Sequence, residues 1–146
     1  MGNNQNGSLA YKERLLMKTP DAEVWLVKGK DVRAQHIEFV EGGHDLVYDW
    51  LPKHEVWIDN ALSTEEYTPV IIHELYEREL MKKGIPYSKA HKRANLVELR
   101  GRRKPNTQTK TLVRHGLKPY WCNKCKDYHS HKDKLYEKHI KYNHNN

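Results

Sequence analysis

Long apolar runs are missing from this chain. No stretch approaches the ~20 residues needed to cross a bilayer, so no membrane partner is expected. Cysteine is nearly absent: Cys122 and Cys125 are the only two. Their spacing suits a metal and not a disulfide, which predicts a reducing compartment, cytoplasmic or otherwise intracellular, and not secretion. The opening residues, Met1 to Ser8, are uncharged, which argues against a signal peptide and reads as a disordered start. Asn6 stands where N-myristoylation wants Ser or Thr. There is no internal repeat and no coenzyme-type glycine loop. Acidic residues are scarce at one end only. Residues 100–146 hold 3 acidic against 13 basic residues, a net of +10, whereas residues 1–99 hold 16 against 13, a net of −3. A basic block segregated in this way is an electrostatic footprint for phosphate backbones, or for an acidic protein partner.

The 146 residues suit one domain and a small module. Residues 9–17 read as a short helix with Leu9, Leu15 and Leu16 apolar. Residues 23–27, 32–40, 46–50 and 55–59 read as strands, with turns at Lys28 to Asp31, at Gly42-Gly43, and at Leu51-Pro52-Lys53. Four short strands joined tightly predict an antiparallel β-meander. The pattern then turns helical. Ser63-Thr64-Glu65-Glu66 is a capping box, and Thr68-Pro69 a second helix start, with the helix running to Lys83 and stopping at Gly84. A second helix covers 88–103, antiparallel to the first because the connection is short. The expected fold class is therefore α+β: a meander packed on a two-helix hairpin over 9–103, a basic polar linker at 104–118, and a small module at 119–146.

That module carries Cys122 and Cys125, then His139 and His144, with Tyr120, Tyr128 and Tyr136 around them. Two thiolates and two imidazoles suit tetrahedral zinc, and a closed four-ligand site is structural. The segment 119–145 resembles the C₂H₂ zinc finger, a ββα unit. It departs in the thirteen residues between Cys125 and His139, and His129 or His131 competes as a ligand. The resemblance implies zinc on Cys122, Cys125, His139 and His144. Counting back from His139, the base-reading helix positions fall on Lys132, Leu135 and Lys138. Two lysines and a leucine imply weak sequence readout and adequate phosphate contact. Together with Lys134 and with Arg102, Arg103 and Lys104, these lysines form the expected nucleic-acid surface, on DNA or RNA.

A second constellation lies in the helical pair. His73-Glu74-Leu75-Tyr76-Glu77 occupies the first helix; His91 and Glu98 occupy the second, beside Ala90 and Ala94. His73 and Glu77 are four apart and share one face. The first helix resembles that of zincin metallopeptidases, His-Glu-x-x-His, with Glu77 in place of the second histidine. The resemblance implies His73, Glu77 and His91 as ligands of zinc or iron, and Glu74 as the general base of a hydrolase. Two further readings of the residues stand beside it. His73, Glu77, His91 and Glu98 form a hydrogen-bonded seam between the helices, or the glutamates face solvent and pair with Arg78, Lys82 and Lys83. His44 reaches the same site if the meander packs over the helices. The sequence thus predicts a zinc-binding, nucleic-acid-associated protein with a zincin-like hydrolase domain. The alternative is a non-enzymatic adaptor with a partner-binding α+β domain.

Overall fold

The computed structural model describes residues 9–104, 107 and 108, and the strands at 119–122 and 127–130. The elements are β1 (Lys12–Lys18), β2 (Glu23–Val27), α1 (Gly29–Gln35), β3 (Gly42–His44), β4 (Glu55–Asp59), a 3₁₀ turn (Thr64–Glu66), α2 (Tyr67–Lys82), α3 (Tyr87–Arg103), β5 (Pro119–Cys122) and β6 (Asp127–Ser130). The architecture is α+β. Four strands form a mixed sheet in the order β1-β2-β4-β3.

The sheet is not the expected meander. β1 and β2 pair antiparallel, as do β3 and β4, but β2 and β4 run parallel from Glu23↔Glu55 to Val27↔Asp59. A parallel pair needs a crossover connection. Residues 28–54 supply it, and part of the segment expected as strand 32–40 is the helix α1 instead. Only Val32 of that helix carries a large apolar side chain into the core, and the polar, alanine-containing remainder suits a helix surface. The expected helix over 9–17 is also corrected. Residues 9–11 are helical, but Lys12–Lys18 is a strand, because Leu16 and Met17 reach the core from the sheet. Its turn into β2 is closed by Thr19, whose hydroxyl accepts hydrogen bonds from the amides of Asp21 and Ala22 at 3.2 and 2.8 Å. Strand 46–50 is not formed. The edge strand falls earlier, on the Gly-Gly-His expected to turn.

Between their terminal acidic residues the two central strands are continuously hydrophobic, Val24 to Val27 and Val56 to Ile58, as strands covered on both faces are. Val24, Leu26, Val56 and Ile58 face α2 and pack on Val70, Ile71, Ile72 and Leu75. Val27 and Trp57 face the other way, into a layer with Phe39, Leu51, Tyr48 and Trp50. Trp50 stands edge-on to Trp57 at 6.0 Å and stacks on Tyr48 at 4.9 Å. Helix α2 ends within one residue of its expected end but starts at Tyr67, two residues before Pro69; α3 lies within one residue of both expected ends, and Ala90 and Ala94, both fully buried, permit the close approach of the two helices. The capping box does not form: Ser63 precedes the 3₁₀ turn without a side-chain capping bond, and Thr68 lies inside α2.

At the far end, β5 and β6 pair antiparallel from Pro119↔Ser130 to Cys122↔Asp127. The expected disordered start, 1–8, most of the expected linker and the remainder of the expected finger lie outside the described residues. Among the described residues, no helix is long and apolar enough to cross a membrane.

Candidate metal centre

One face of α2 presents His73, Glu74 and Glu77 towards α3 and the edge strand β3. On α3, His91, Asn95 and Glu98 follow at spacings of four and three, and so share the facing side. Strand β3 comes unusually close. A Cβ at Gly42 would stand 3.0 Å from Val70 Cγ1, 3.1 Å from the Trp57 carbonyl and 3.4 Å from Glu74 Cγ, and one at Gly43 would overlap the Tyr48 ring. Gly42 therefore serves close approach of the strand to the helix, and Gly43 makes room for Tyr48 on the other face. The strand delivers the next residue, His44, fully buried, onto Glu77.

Three ligand atoms meet at one point. His73 Nε2 is 3.2 Å from Glu77 Oε2 and 3.2 Å from His91 Nδ1, and His91 Nδ1 is 2.8 Å from Glu77 Oε2. Ligands on a tetrahedral zinc, at bond lengths of about 2.0–2.1 Å, stand about 3.3–3.4 Å apart. The triangle is close to one face of that tetrahedron, so these residues fit a zinc or iron ion in both donor type and spacing. The orientation of His73 fits as well. With Nε2 at the triangle, its Nδ1 lies 3.0 Å from Glu98 Oε1, an ion-pair distance without the alignment of a hydrogen bond. A metal-binding imidazole commonly has a carboxylate at its other nitrogen in this way.

The electrostatics divide the carboxylates. Burial raises the cost of charge on Glu77, but bonds from His44, His73 and His91 outweigh it and hold its pKa down at about 2. Glu74, buried beside it, accepts no hydrogen bond from any described residue; its nearest cation is His73 Nε2 at 4.0 Å. Burial first and the Glu77 charge second push its pKa up to about 8. Burial also opposes charge on His73, yet Glu77, Glu98 and Glu74 overcome it and lift its pKa to about 10. Glu98 is held below the usual carboxylate range by His73 and, further out, by Arg102, against the opposing effect of burial. The metal-free cluster thus holds protons where a cation would sit.

These groups line a cleft of about 480 Å³, whose walls also include Glu38, Glu41, Tyr48 and Tyr87. Tyr87 stacks on His91 at 5.3 Å. Glu41 holds a left-handed backbone, φ 62°, at the entry to β3, a conformation that non-glycine residues adopt at a cost.

Of the residues singled out in the sequence, His73, Glu74, Glu77, His91 and Glu98 come together, and His44 joins them from β3. The solvated-face pairing does not form around Glu77. Arg78 instead turns to Asp21 and Asp45. Nothing in the sequence marked those two aspartates as its partners. Of the expected basic surface, Arg102 is held by Glu66 at 2.8 Å and Glu98 at 3.0 Å, while Arg103 and Lys104 are exposed. Cys122 ends β5; Cys125, His139, His144, Lys132, Lys134 and Lys138 lie outside the described residues. No family model matches this chain, and neither a curated protein nor a solved structure does.

Proposed function

We propose that the domain formed by residues 9–104 is a metal-dependent hydrolase of zincin-like type, tethered to nucleic acid by a C-terminal zinc finger. The triangle of His73 Nε2, His91 Nδ1 and Glu77 Oε2, opening on the cleft, carries the first part. Three protein ligands with one position left over are the arrangement of catalytic zinc sites, where structural sites use four. A divalent ion held there supplies Lewis acidity and acidifies water. Glu74 is the residue placed to take a proton. Its pKa of about 8 in the metal-free protein lies near the working range of an efficient general base, and a cation beside it draws it lower. Tyr87 and Asn95 offer polar groups to a bound substrate along the cleft wall. The finger part rests on the ligand spacing and on the basic block of residues 100–146.

Zinc content of the full chain tests this reading. Two equivalents are expected, of which His73→Ala loses one. Glu74→Gln should keep both and lose hydrolysis of a peptide or ester substrate. For the tether, affinity for a nucleic-acid duplex should fall steeply with salt.

The adaptor reading has one observation in its favour: Glu77 already satisfies its oxygens with three histidines, as a structural seam would. One zinc in the full chain, unchanged by His73→Ala, would establish it instead.

A further inference from the structure

A second trio, His44, Glu74 and Glu77, also brings its ligand atoms within 4.8 Å of one another. The hydrogen bonds of His44 argue against its being a ligand. The backbone amide of Leu46 donates to His44 Nδ1 at 3.2 Å. A nitrogen that accepts carries no proton, so a neutral His44 bears its proton on Nε2. That Nε2 sits 2.8 Å from Glu77 Oε1 and donates to it. A nitrogen bearing a proton has no lone pair for a metal. A metal-bound imidazole instead donates its other N–H outward, towards an acceptor. Here the outward nitrogen meets a donor.

We infer that His44 is a positioning residue: it donates Nε2–H to Glu77 Oε1 and so presents Oε2 to the metal position between His73 and His91. The inference rests on the metal reading of the trio His73, Glu77 and His91. Three features of the chain build this arrangement. Gly42 lets β3 reach the helix, the turn after His44 returns the Leu46 amide to Nδ1, and full burial of His44 removes water as a competing partner. The two oxygens of Glu77 are thereby assigned different tasks, one to the strand and one to the ligand triangle.

The tautomer is directly measurable. Long-range ¹H–¹⁵N correlation spectra of the ¹⁵N-histidine-labelled full chain, recorded without and with saturating Zn²⁺, should show His44 protonated on Nε2 in both, with the signal assigned by its loss in His44→Gln. A proton on Nδ1, or a zinc-shifted Nε2, overturns the inference and makes His44 a ligand. Affinity gives the second readout. His44→Leu should weaken zinc binding at the domain site by about 10–100-fold, the usual cost of losing an outer-shell partner. His44→Gln, whose amide N–H can take the place of Nε2–H, should recover most of that loss. Equal weakening in both variants counts against a donor role. A wild-type domain that takes up no zinc, with the finger loaded, sinks the metal reading itself, and the tautomer measured on the same sample still decides His44.

Discussion

Consecutive residues of α2 anchor two different electrostatic centres. Arg78 joins Asp45 through Nε at 2.6 Å and Nη2 at 3.2 Å, and Asp21 through Nη1. Lys82 adds a further bond to Asp21 at 2.9 Å. Glu77, one residue earlier, gathers His44, His73 and His91. Both centres grip the chain at the end of β3, since His44, its last residue, and Asp45 are consecutive. Around Arg78 the opposite charges are present throughout the neutral range, and all three guanidinium nitrogens meet a carboxylate. Around Glu77 the charge depends on which histidines and glutamates hold protons, and the group opens on a cleft. The first centre has the form of a structural clasp; the second has the donor set and spacing that the proposed metal reading requires. Burial alone does not separate them, for Glu77 and Arg78 are 2% and 5% exposed. The separation comes from whether the charges close without an added ion.

The largest expected effect breaks the clasp. Arg78→Met leaves Asp45, with a side chain only 6% exposed, as an uncompensated buried charge. Denaturant unfolding should show a loss of about 3–5 kcal/mol. Glu77→Gln should invert the pattern, with the domain's zinc lost and a smaller change in stability, read by elemental analysis beside the same unfolding curves. If Arg78→Met also strips the zinc from protein that is still folded, the two centres are not separable. Gly42→Ala should cost about 1–3 kcal/mol, because the methyl must displace Val70 or push against the Trp57 carbonyl. It should weaken zinc binding through the displaced His44.

pH sharpens the comparison. Asp21 is held at about 2 by Arg78 and Lys82, against an ordinary 3.8. A lowered pKa contributes stability above the ordinary value, and that contribution is lost as pH falls through the folded one. The clasp should therefore weaken between about pH 4 and 2, as acid titration of the unfolding free energy will show. His73 runs the other way. With its pKa lifted to about 10, its contribution in the metal-free protein is full below 6.5 and lost as pH rises through 10. Zinc must displace that proton. Affinity at the domain site should rise about tenfold per pH unit through the neutral range for each proton released. A pH-independent affinity would remove His73 from the ligand set. The smallest effect is expected at Arg102, whose half-exposed pairing with Glu66 and Glu98 should cost no more than about 1 kcal/mol when truncated to Ala.

The helical pair, and the meeting of His73, Glu77 and His91 along its seam, were legible in the spacing of His73 and Glu77 and in the small Ala90 and Ala94 beside His91. Strands β2 and β4 were legible because Glu-Val-Trp-Leu-Val and Glu-Val-Trp-Ile-Asp are β-rich and apolar. Their parallel pairing was not, since local pattern does not encode which strands meet. Lys12–Lys18 has strong helix formers whose preference tertiary burial overrides. Gly42-Gly43 has the composition of a turn, and only the approach of α2 to Gly42 and of the Tyr48 ring to Gly43 reveals why side chains are absent there. Arg78 has the local pattern of a solvated cation; its two aspartates lie 57 and 33 residues away.

The placement of the trio has a kinetic consequence. His73, Glu77 and His91 span only 18 residues of a helical hairpin, whereas the bond from His44 closes over 33 and requires β3 to dock on β4. Short closures cost less chain entropy and form sooner. On the proposed metal reading, an ion arriving during folding would meet all three side chains on the hairpin first, before the edge strand brings His44 onto Glu77.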